Sequence, residues 1–239
     1  MNKYNPFLLP LLRTILFIIS GYLFVYITKL SFEDASRFWP LICIFVNIIT
    51  LFVLSVVCRK DKITYRSLIN YQSGELRTRY TLWVVMIMMV LGIGGMVGFG
   101  YLIYGYIPVI MIQPLPIGFA IITLILLPIT VVLAELPLYF GYALNGIDKI
   151  TKNKTLAIVY PMFFYALQHS FIPLLFNWQH IVFRFLAFLP LLIILGFVYH
   201  KHRRLSPLML GHGILDFAAA AQIMIVSLFP ALFDLINIT

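Results

Sequence analysis

The sequence predicts an all-α fold, a polytopic transmembrane helical bundle of about seven spans with the N-terminus inside and the C-terminus outside. Three observations lead to this prediction. The 239 residues are 62% hydrophobic and 10% charged, with a mean hydropathy of +1.02, which excludes an ordinary soluble domain. The apolar residues form runs long enough to cross a bilayer. The basic residues lie mainly on one side of these runs.

Seven apolar runs account for most of the chain. They extend approximately over residues 14–28, 38–57, 81–101, 117–144, 156–173, 181–200 and 205–230. The first run resembles a signal-peptide core, but it is long and lacks an Ala-x-Ala-like end, so it is interpreted as a retained span. The longest polar stretch, residues 59–79, is too short to form a core of its own. Residues 1–239 are therefore predicted to be a single membrane domain.

The net charge of +9 raises the question of nucleic acid as a partner, but its distribution favours a membrane topology instead. With the N-terminus inside, all but three of the 17 Lys and Arg residues fall on the cytoplasmic side, and Arg13 is counted with this cytoplasmic flank. The exceptions are Lys29, Arg37 and Arg184. The chain is thus predicted to be a multi-pass protein of the cell membrane, with the lipid bilayer as a partner and no nucleic acid.

Several other features have a structural interpretation. Gly94 and Gly98 have the spacing that allows two helices to approach closely, and packing within the chain is favoured over a dimer. Cys43 and Cys58 are interpreted as small buried residues rather than as a disulfide. Arg184 is expected to extend to the outer surface. Interfacial positions are likewise expected for three histidines, His180, His200 and His202.

The fourth run contains the only Glu within a predicted span, Glu135. A charge at this depth costs at least a few kcal/mol and is by default a sign of a functional site. Pro128 and Pro137 lie on either side of it. Each Pro lacks a backbone donor and frees a carbonyl about four residues earlier, so the helix is predicted to be irregular near Glu135.

Three further titratable residues lie at a similar depth, namely His169, His212 and Asp216. With a rise of 1.5 Å per residue, Glu135 lies roughly 15 Å from the cytoplasmic end of its run. The corresponding depths are roughly 11 Å for His212, 17 Å for Asp216 and 20 Å for His169. The four groups, on three spans, are therefore predicted to form one site in the cytoplasmic half or near the midplane.

Local spacing adds two tyrosines to this site. His212 and Asp216 are four residues apart, and so are Glu135 and Tyr139, and Tyr165 and His169. Residues at this spacing share a helix face, so the Tyr139 hydroxyl is expected to donate to Glu135. A Glu beside a His can activate water, while a second His and an acid stabilise an oxyanion. The same groups could instead hold a divalent metal. The chain has no G-x-S-x-G motif.

The motif-bearing residues resemble the CPBP or Abi family of intramembrane proteases, which includes the CAAX prenyl proteases of the Ras-converting type. The family motifs are Glu-Glu-x-x-x-Arg, Phe-x-x-x-His, and His-x-x-x-Asn or Asp. They correspond here to the segments 134–139, 165–169 and 212–216. The resemblance covers roughly residues 117–225.

The first motif departs from the family pattern. Ala134 occupies the position of the Glu that activates water, Glu135 that of its neighbour, and Tyr139 that of the Arg. The resemblance implies that His169 activates water and that His212 and Asp216 stabilise the oxyanion. With a neutral hydroxyl in place of Arg, Glu135 is expected to be protonated and a poor base.

The leading hypothesis is an intramembrane endopeptidase, of glutamic or metallo type, that hydrolyses membrane-embedded or lipid-linked peptides. No cofactor is required in this hypothesis, although a divalent metal is compatible with it. The first alternative is a catalytically weakened or inactive relative that serves as a membrane scaffold, regulator or immunity-type protein. The second is a proton-coupled transporter that uses the same acids and histidines as a relay.

Overall fold

The computed structural model describes residues 3–71, 73–76 and 78–236, and these residues form helices with no strand among them. The elements in chain order are α1 (Asn5–Thr28), α2 (Phe32–Ser36), α3 (Trp39–Lys60), α4 (Tyr65–Ile69), α5 (Thr78–Tyr104), α6 (Ile117–Leu136), the π-helical segment π1 (Pro137–Leu144), α7 (Asn145–Thr151), α8 (Lys154–His169), α9 (Trp178–His202), α10 (Ser206–Leu228) and α11 (Pro230–Ile236). The predicted all-α class is confirmed.

Six helical segments in the described part of the chain are long and apolar enough to span a membrane. They are α1, α3, α5, α9, α10 and the continuous segment formed by α6, π1 and α7. Many of their large apolar side chains are exposed, such as Phe52, Leu102 and Trp83, as expected of surfaces that face lipid. The protein is thus a multi-pass membrane protein.

The fifth predicted run differs from a simple span. Its helix, α8, has 16 residues, or about 24 Å, which is less than the thickness of the hydrocarbon core of about 30 Å. After His169 the chain continues as an irregular segment in which Ile172, Leu174 and Leu175 are buried. Non-helical backbone is tolerated at membrane depth when it is enclosed by protein. The sequence prediction of about seven spans counted α8 and this segment together as one.

The helices enclose the region around the end of α6. Helix α6 packs between α3 and α10, while α5 packs on α9 and α10. Helix α8 packs on α9 and on π1, and α1 covers α3, α8 and π1. The residues at the junction of α6 and π1 are therefore surrounded by other helices, and every side chain from Glu135 to Leu144 is buried.

The irregularity predicted near Glu135 is present as π1, which begins at Pro137. Pro137 has no N–H to donate to the carbonyl four residues earlier, which belongs to Leu133. The hydroxyl of Tyr65, from α4, donates to this carbonyl instead. Burial raises the pKa of Tyr65 to about 12, so the hydroxyl remains a neutral donor at physiological pH.

The glycine-rich part of α5 packs within the chain, but not through the pair that the sequence suggested. A Cβ atom added to Gly95 would lie 2.1 Å from the carbonyl oxygen of Ala187 in α9. A Cβ atom added to Gly94 or Gly98 would have no neighbour within 4 Å, and both residues are exposed. The interpretation of Gly94 and Gly98 as a packing pair within the chain is therefore wrong.

We expect Gly95→Ala to destabilise the protein, because the added methyl group collides with the backbone of α9. Overpacking of this kind costs about 1–3 kcal/mol. Gly94→Ala is the matched control and should be neutral or slightly stabilising, since Ala is the better helix former. Thermal unfolding of both variants in detergent measures the difference. Equal midpoints for the two variants would contradict the packing described here.

Tyr65→Phe should lower the free energy of unfolding by about 1–3 kcal/mol, because it removes the hydroxyl that donates to the buried Leu133 carbonyl. Tyr71→Phe removes the same atom from a side chain that is 54% exposed, so it should have little effect. Denaturant titration of the two variants compares the costs. A Tyr65→Phe protein as stable as the control would show that the carbonyl is satisfied in another way.

Candidate functional site

The four titratable residues singled out in the sequence lie on three helices. Glu135 is in the last turn of α6 and 2% exposed, and His169 is the last residue of α8 and 9% exposed. His212 and Asp216 lie one turn apart in α10. Their side chains are 13% and 22% exposed. The site thus has a buried part at Glu135 and a more accessible part on α10.

Glu135 is paired with Arg13 of α1, which the sequence analysis had placed in the cytoplasmic flank. Arg13 is 3% exposed, and its Nη2 lies 2.7 Å from Oε1 of Glu135. The same Nη2 donates to Oδ1 of Asn47 at 2.6 Å, and Nη1 donates to the hydroxyl of Thr50. The expectation that Glu135 faces only a neutral hydroxyl is therefore wrong, because a guanidinium from another helix takes the place of the motif Arg.

Gln168, next to His169, completes the environment of Glu135. Its Nε2 donates to Oε1 of Glu135 at 2.9 Å, and its Oε1 accepts from Nε of Arg13 at 2.9 Å. The Tyr139 hydroxyl donates to the same Oε1 of Gln168 at 2.8 Å, and not to Glu135 as the spacing suggested. The π-helical turns that start at Pro137 change the number of residues per turn, so Tyr139 leaves the helix face of Glu135.

His212 lies among three oxygen atoms from three residues. Its Nε2 is 3.3 Å from Oδ2 of Asp216, 3.4 Å from the hydroxyl of Tyr165 and 3.6 Å from Oε2 of Glu135. These distances exceed those of good hydrogen bonds. Oδ2 of Asp216 is buried and has no hydrogen-bond partner in the described part of the chain. The α10 part of the site is therefore loosely held, in contrast to the tightly bonded pair of Arg13 and Glu135.

His169 is oriented by its own helix. Its Nδ1 lies 2.7 Å from the carbonyl oxygen of Tyr165, one turn earlier. A carbonyl can only accept, so Nδ1 carries the proton in the neutral ring and Nε2 carries the lone pair. The ring stacks on Phe188 of α9 at a centroid distance of 4.1 Å. Among the described residues, no carboxylate lies within ion-pair distance of His169. Glu135 instead lies beside His212, with its Oε2 3.6 Å from Nε2 of that ring.

Tyr165 lies between the two histidines. Its ring centroid is 5.4 Å from that of His169 and 6.2 Å from that of His212. Tyr139 stacks in parallel on Tyr165, with a centroid distance of 4.3 Å. The two tyrosines that the spacing added to the site therefore contact each other, and both imidazoles lie near the ring of Tyr165.

A metal site finds little support in this geometry. Within the part of the chain that the structure describes, no group of three or more His, Cys, Asp and Glu side chains is arranged to hold a metal ion. Oε1 of Glu135 is engaged by Arg13 and Gln168, and a guanidinium beside this carboxylate disfavours a second cation there.

Two residues of this network were missed from the sequence. Arg13 has the signal of a charge with apolar residues on both sides, but its position near the start of the run made it look like a flank. Gln168 has no signal beyond its position next to His169. Arg184 and His180, expected at the outer surface and the interface, are instead 3% and 2% exposed in α9. These expectations were wrong because sequence position does not report which side of a helix faces protein.

The fold and the site define a class, a multi-pass helical membrane protein with a cluster of acid and imidazole groups enclosed between its helices. Residues 116–218 match the family model described as type II CAAX prenyl endopeptidase Rce1-like. Over this segment the chain is similar to the CAAX-protease family, and the resemblance that the three motifs predicted is confirmed for these residues. No curated protein and no solved structure gave a significant match.

Arg13→Met should destabilise the protein by about 3–5 kcal/mol, because it leaves Glu135 buried without its cation. The double variant Arg13→Met with Glu135→Gln should recover most of this loss, since no unpaired charge remains. Denaturant titrations of the single and double variants give the coupling free energy.

Arg203→Met is the control for the loss of an arginine. Its pair with Asp148 is partly exposed, with side chains 38% and 27% accessible, so its removal should cost at most about 1 kcal/mol. A double variant no more stable than Arg13→Met would show that the guanidinium does not serve mainly to neutralise Glu135.

Proposed function

We propose that this protein is an endopeptidase that hydrolyses a peptide bond in a membrane-embedded or lipid-linked substrate without a covalent intermediate. The observation that supports this most is the position of His169 and His212 beside Tyr165, with Asp216 next to His212, inside the segment that matches the protease family. The partial exposure of His212 and Asp216 leaves these groups open to a substrate.

His169 is the general base in this proposal. Its Nε2 has the lone pair and accepts a proton from a water molecule as the water oxygen attacks the substrate carbonyl carbon. The same proton then passes from Nε2 to the amide nitrogen as the carbon–nitrogen bond breaks. His169 thus begins and ends the reaction in its neutral form.

His212 stabilises the negative charge that develops on the carbonyl oxygen. Two carboxylates, Glu135 and Asp216, lie near its Nε2 and orient the ring, and a protonated Nε2 can donate a hydrogen bond to an oxyanion. Glu135 serves as a positioning residue here. Arg13 and Gln168 fix one of its oxygens, and the other faces His212. The hydrolysis proposed in this way needs no metal.

A second candidate function is a non-catalytic membrane scaffold, regulator or immunity-type protein. A specific observation favours it, because Ala134 occupies the position of the family's water-activating Glu. Glu135 does not replace this Glu, since its Oε1 is engaged by Arg13 and Gln168 and its Oε2 faces His212. In this case the buried network has a purely structural role.

Cleavage of a membrane peptide by the purified protein in bicelles distinguishes the two functions. His169→Ala should lower the cleavage rate by at least about 100-fold, since it removes the general base. His202→Ala, which changes an exposed histidine at the end of α9, should leave the rate unchanged. A chelator should have no effect, and elemental analysis should find no stoichiometric metal.

Glu135→Gln completes the set and should also slow cleavage, because His212 loses one of the carboxylates that hold it. Cleavage insensitive to both His169→Ala and Glu135→Gln would rule out the proposed site. A folded wild-type protein that cleaves no peptide under any condition tested would instead favour the scaffold.

A further inference from the structure

Arg184 is a buried cation with no anion beside it among the residues that the structure describes. It lies in α9 and is 3% exposed. Its acceptors among the described residues are the carbonyl oxygen of His169, 3.4 Å from Nε, and the sulfur of Met96, 3.1 Å from Nη1. The guanidinium also lies over the ring of Phe188, at 4.8 Å from its centroid. Within the described part of the chain, no carboxylate lies within ion-pair distance of it.

Arg13 and Arg184 are both buried, but their hydrogen-bond partners differ. Arg13 is equally buried but donates to a carboxylate, two amide oxygens and a hydroxyl. Arg184 has one weak carbonyl contact and one thioether. A buried charge without a partner is costly, and ionisable residues at membrane depth normally have one. Among the described residues, Arg184 therefore lacks the counter-charge that Arg13 has.

His180 supports the same conclusion independently. It lies one turn before Arg184 on the same face of α9 and is 2% exposed, and its Nε2 has no hydrogen-bond partner in the described part of the chain. Its backbone N–H is capped by Asn177, so it belongs to the first turn of this 25-residue helix. The N-terminal end of a helix carries a partial positive charge, which also favours an anion.

We propose that Arg184 and His180 form a subsite that binds a carboxylate of the substrate. A guanidinium presents two parallel N–H groups that match the two oxygens of a carboxylate. One guanidinium balances one negative charge. The unpartnered Nε2 of His180 can donate to the same carboxylate when the ring is protonated, because the other ring nitrogen bonds to the backbone carbonyl of Pro173. A phosphate dianion would leave a negative charge uncompensated in the same place.

This subsite adjoins the proposed catalytic site and rests on the proposed function. Nε of Arg184 contacts the backbone carbonyl of His169, the residue assigned as the general base. A substrate chain extends about 3.3–3.6 Å per residue, so a carboxylate at Arg184 lies within about three residues of a peptide bond at the His169 ring. The carboxylate belongs either to an acidic side chain or to the end of the substrate chain.

Thermal unfolding of the detergent-purified protein with sodium hexanoate tests the subsite without requiring cleavage. Hexanoate should raise the unfolding midpoint saturably, by roughly 5–10 °C at a concentration 100 times its dissociation constant. Hexanamide, which has a similar shape without the charge, should give no saturable shift. Sodium chloride at matched ionic strength is the salt control. An equal shift with hexanamide would overturn the proposal.

Arg184→Met should abolish the hexanoate shift while preserving the apolar contacts of the side-chain stem. Arg37→Met is the matched control, because Arg37 is exposed and stacks over Phe38 at 4.9 Å, much as Arg184 stacks over Phe188. The control should keep the full shift. His180→Phe should raise the dissociation constant of hexanoate about tenfold, and it tests the subsite even if Arg184→Met does not fold. A full shift in either His180→Phe or a folded Arg184→Met protein would overturn the assignment.

Two pairs of membrane peptides identify the source of the carboxylate. In the first pair, one peptide has a free C-terminal carboxylate and the other has an amidated C-terminus. In the second pair, one peptide has Glu and the other has Gln at a position within three residues of the cleavage position. Neutralising the relevant carboxylate should weaken binding to the His169→Ala protein at least tenfold. No loss in either pair would contradict the subsite. Binding is measured without turnover, so the two proposals can fail separately. A hexanoate shift without cleavage supports the subsite and contradicts the proposed function. Cleavage without a hexanoate shift supports the proposed function and contradicts the subsite.

Discussion

The ion pair of Arg13 and Glu135 is the interaction on which the rest of the bundle depends. A carboxylate enclosed by helices is tolerable only with a cation and further hydrogen bonds around it. Arg13 supplies the cation from α1 and also bonds residues of α3 and α8. Four helices are thereby fixed around one carboxylate. The orientation of α1 and α3 relative to the motif-bearing helices follows from this pair as much as from apolar packing.

This arrangement divides the site into two parts with different properties. On the Arg13 side, the hydrogen bonds are short and the groups are buried, so Glu135 has little freedom to exchange partners. On the α10 side, His212 and Asp216 lie at 3.3 Å or more from their neighbours and are partly exposed. Loose contacts and partly exposed side chains leave room for a ligand. In the proposed reaction the two histidines therefore contact the substrate, and Glu135 positions His212.

The sequence was sufficient to predict the fold class and the convergence of the motif residues, since both depend on hydrophobic runs and on helical rise. It was not sufficient to predict their partners. Tyr139 was expected on the face of Glu135, but π1 changes the helical register after Pro137. Arg13 and Arg184 were assigned to opposite membrane surfaces by position along their runs. Whether a side chain faces lipid, water or protein depends on contacts between distant segments, which one sequence does not contain.

The two buried arginines, Arg13 and Arg184, differ in whether the described part of the chain supplies the counter-charge that a buried cation needs. Both are 3% exposed, so neither reaches water to be solvated. Arg13 has its counter-charge within the chain, and its contribution is to stability and to the position of Glu135. Arg184 lies next to the backbone of His169, and the described residues give it no such counter-charge, although a packed apolar residue at this place would avoid the cost of burial. This difference is the reason for proposing that its anion arrives with the substrate.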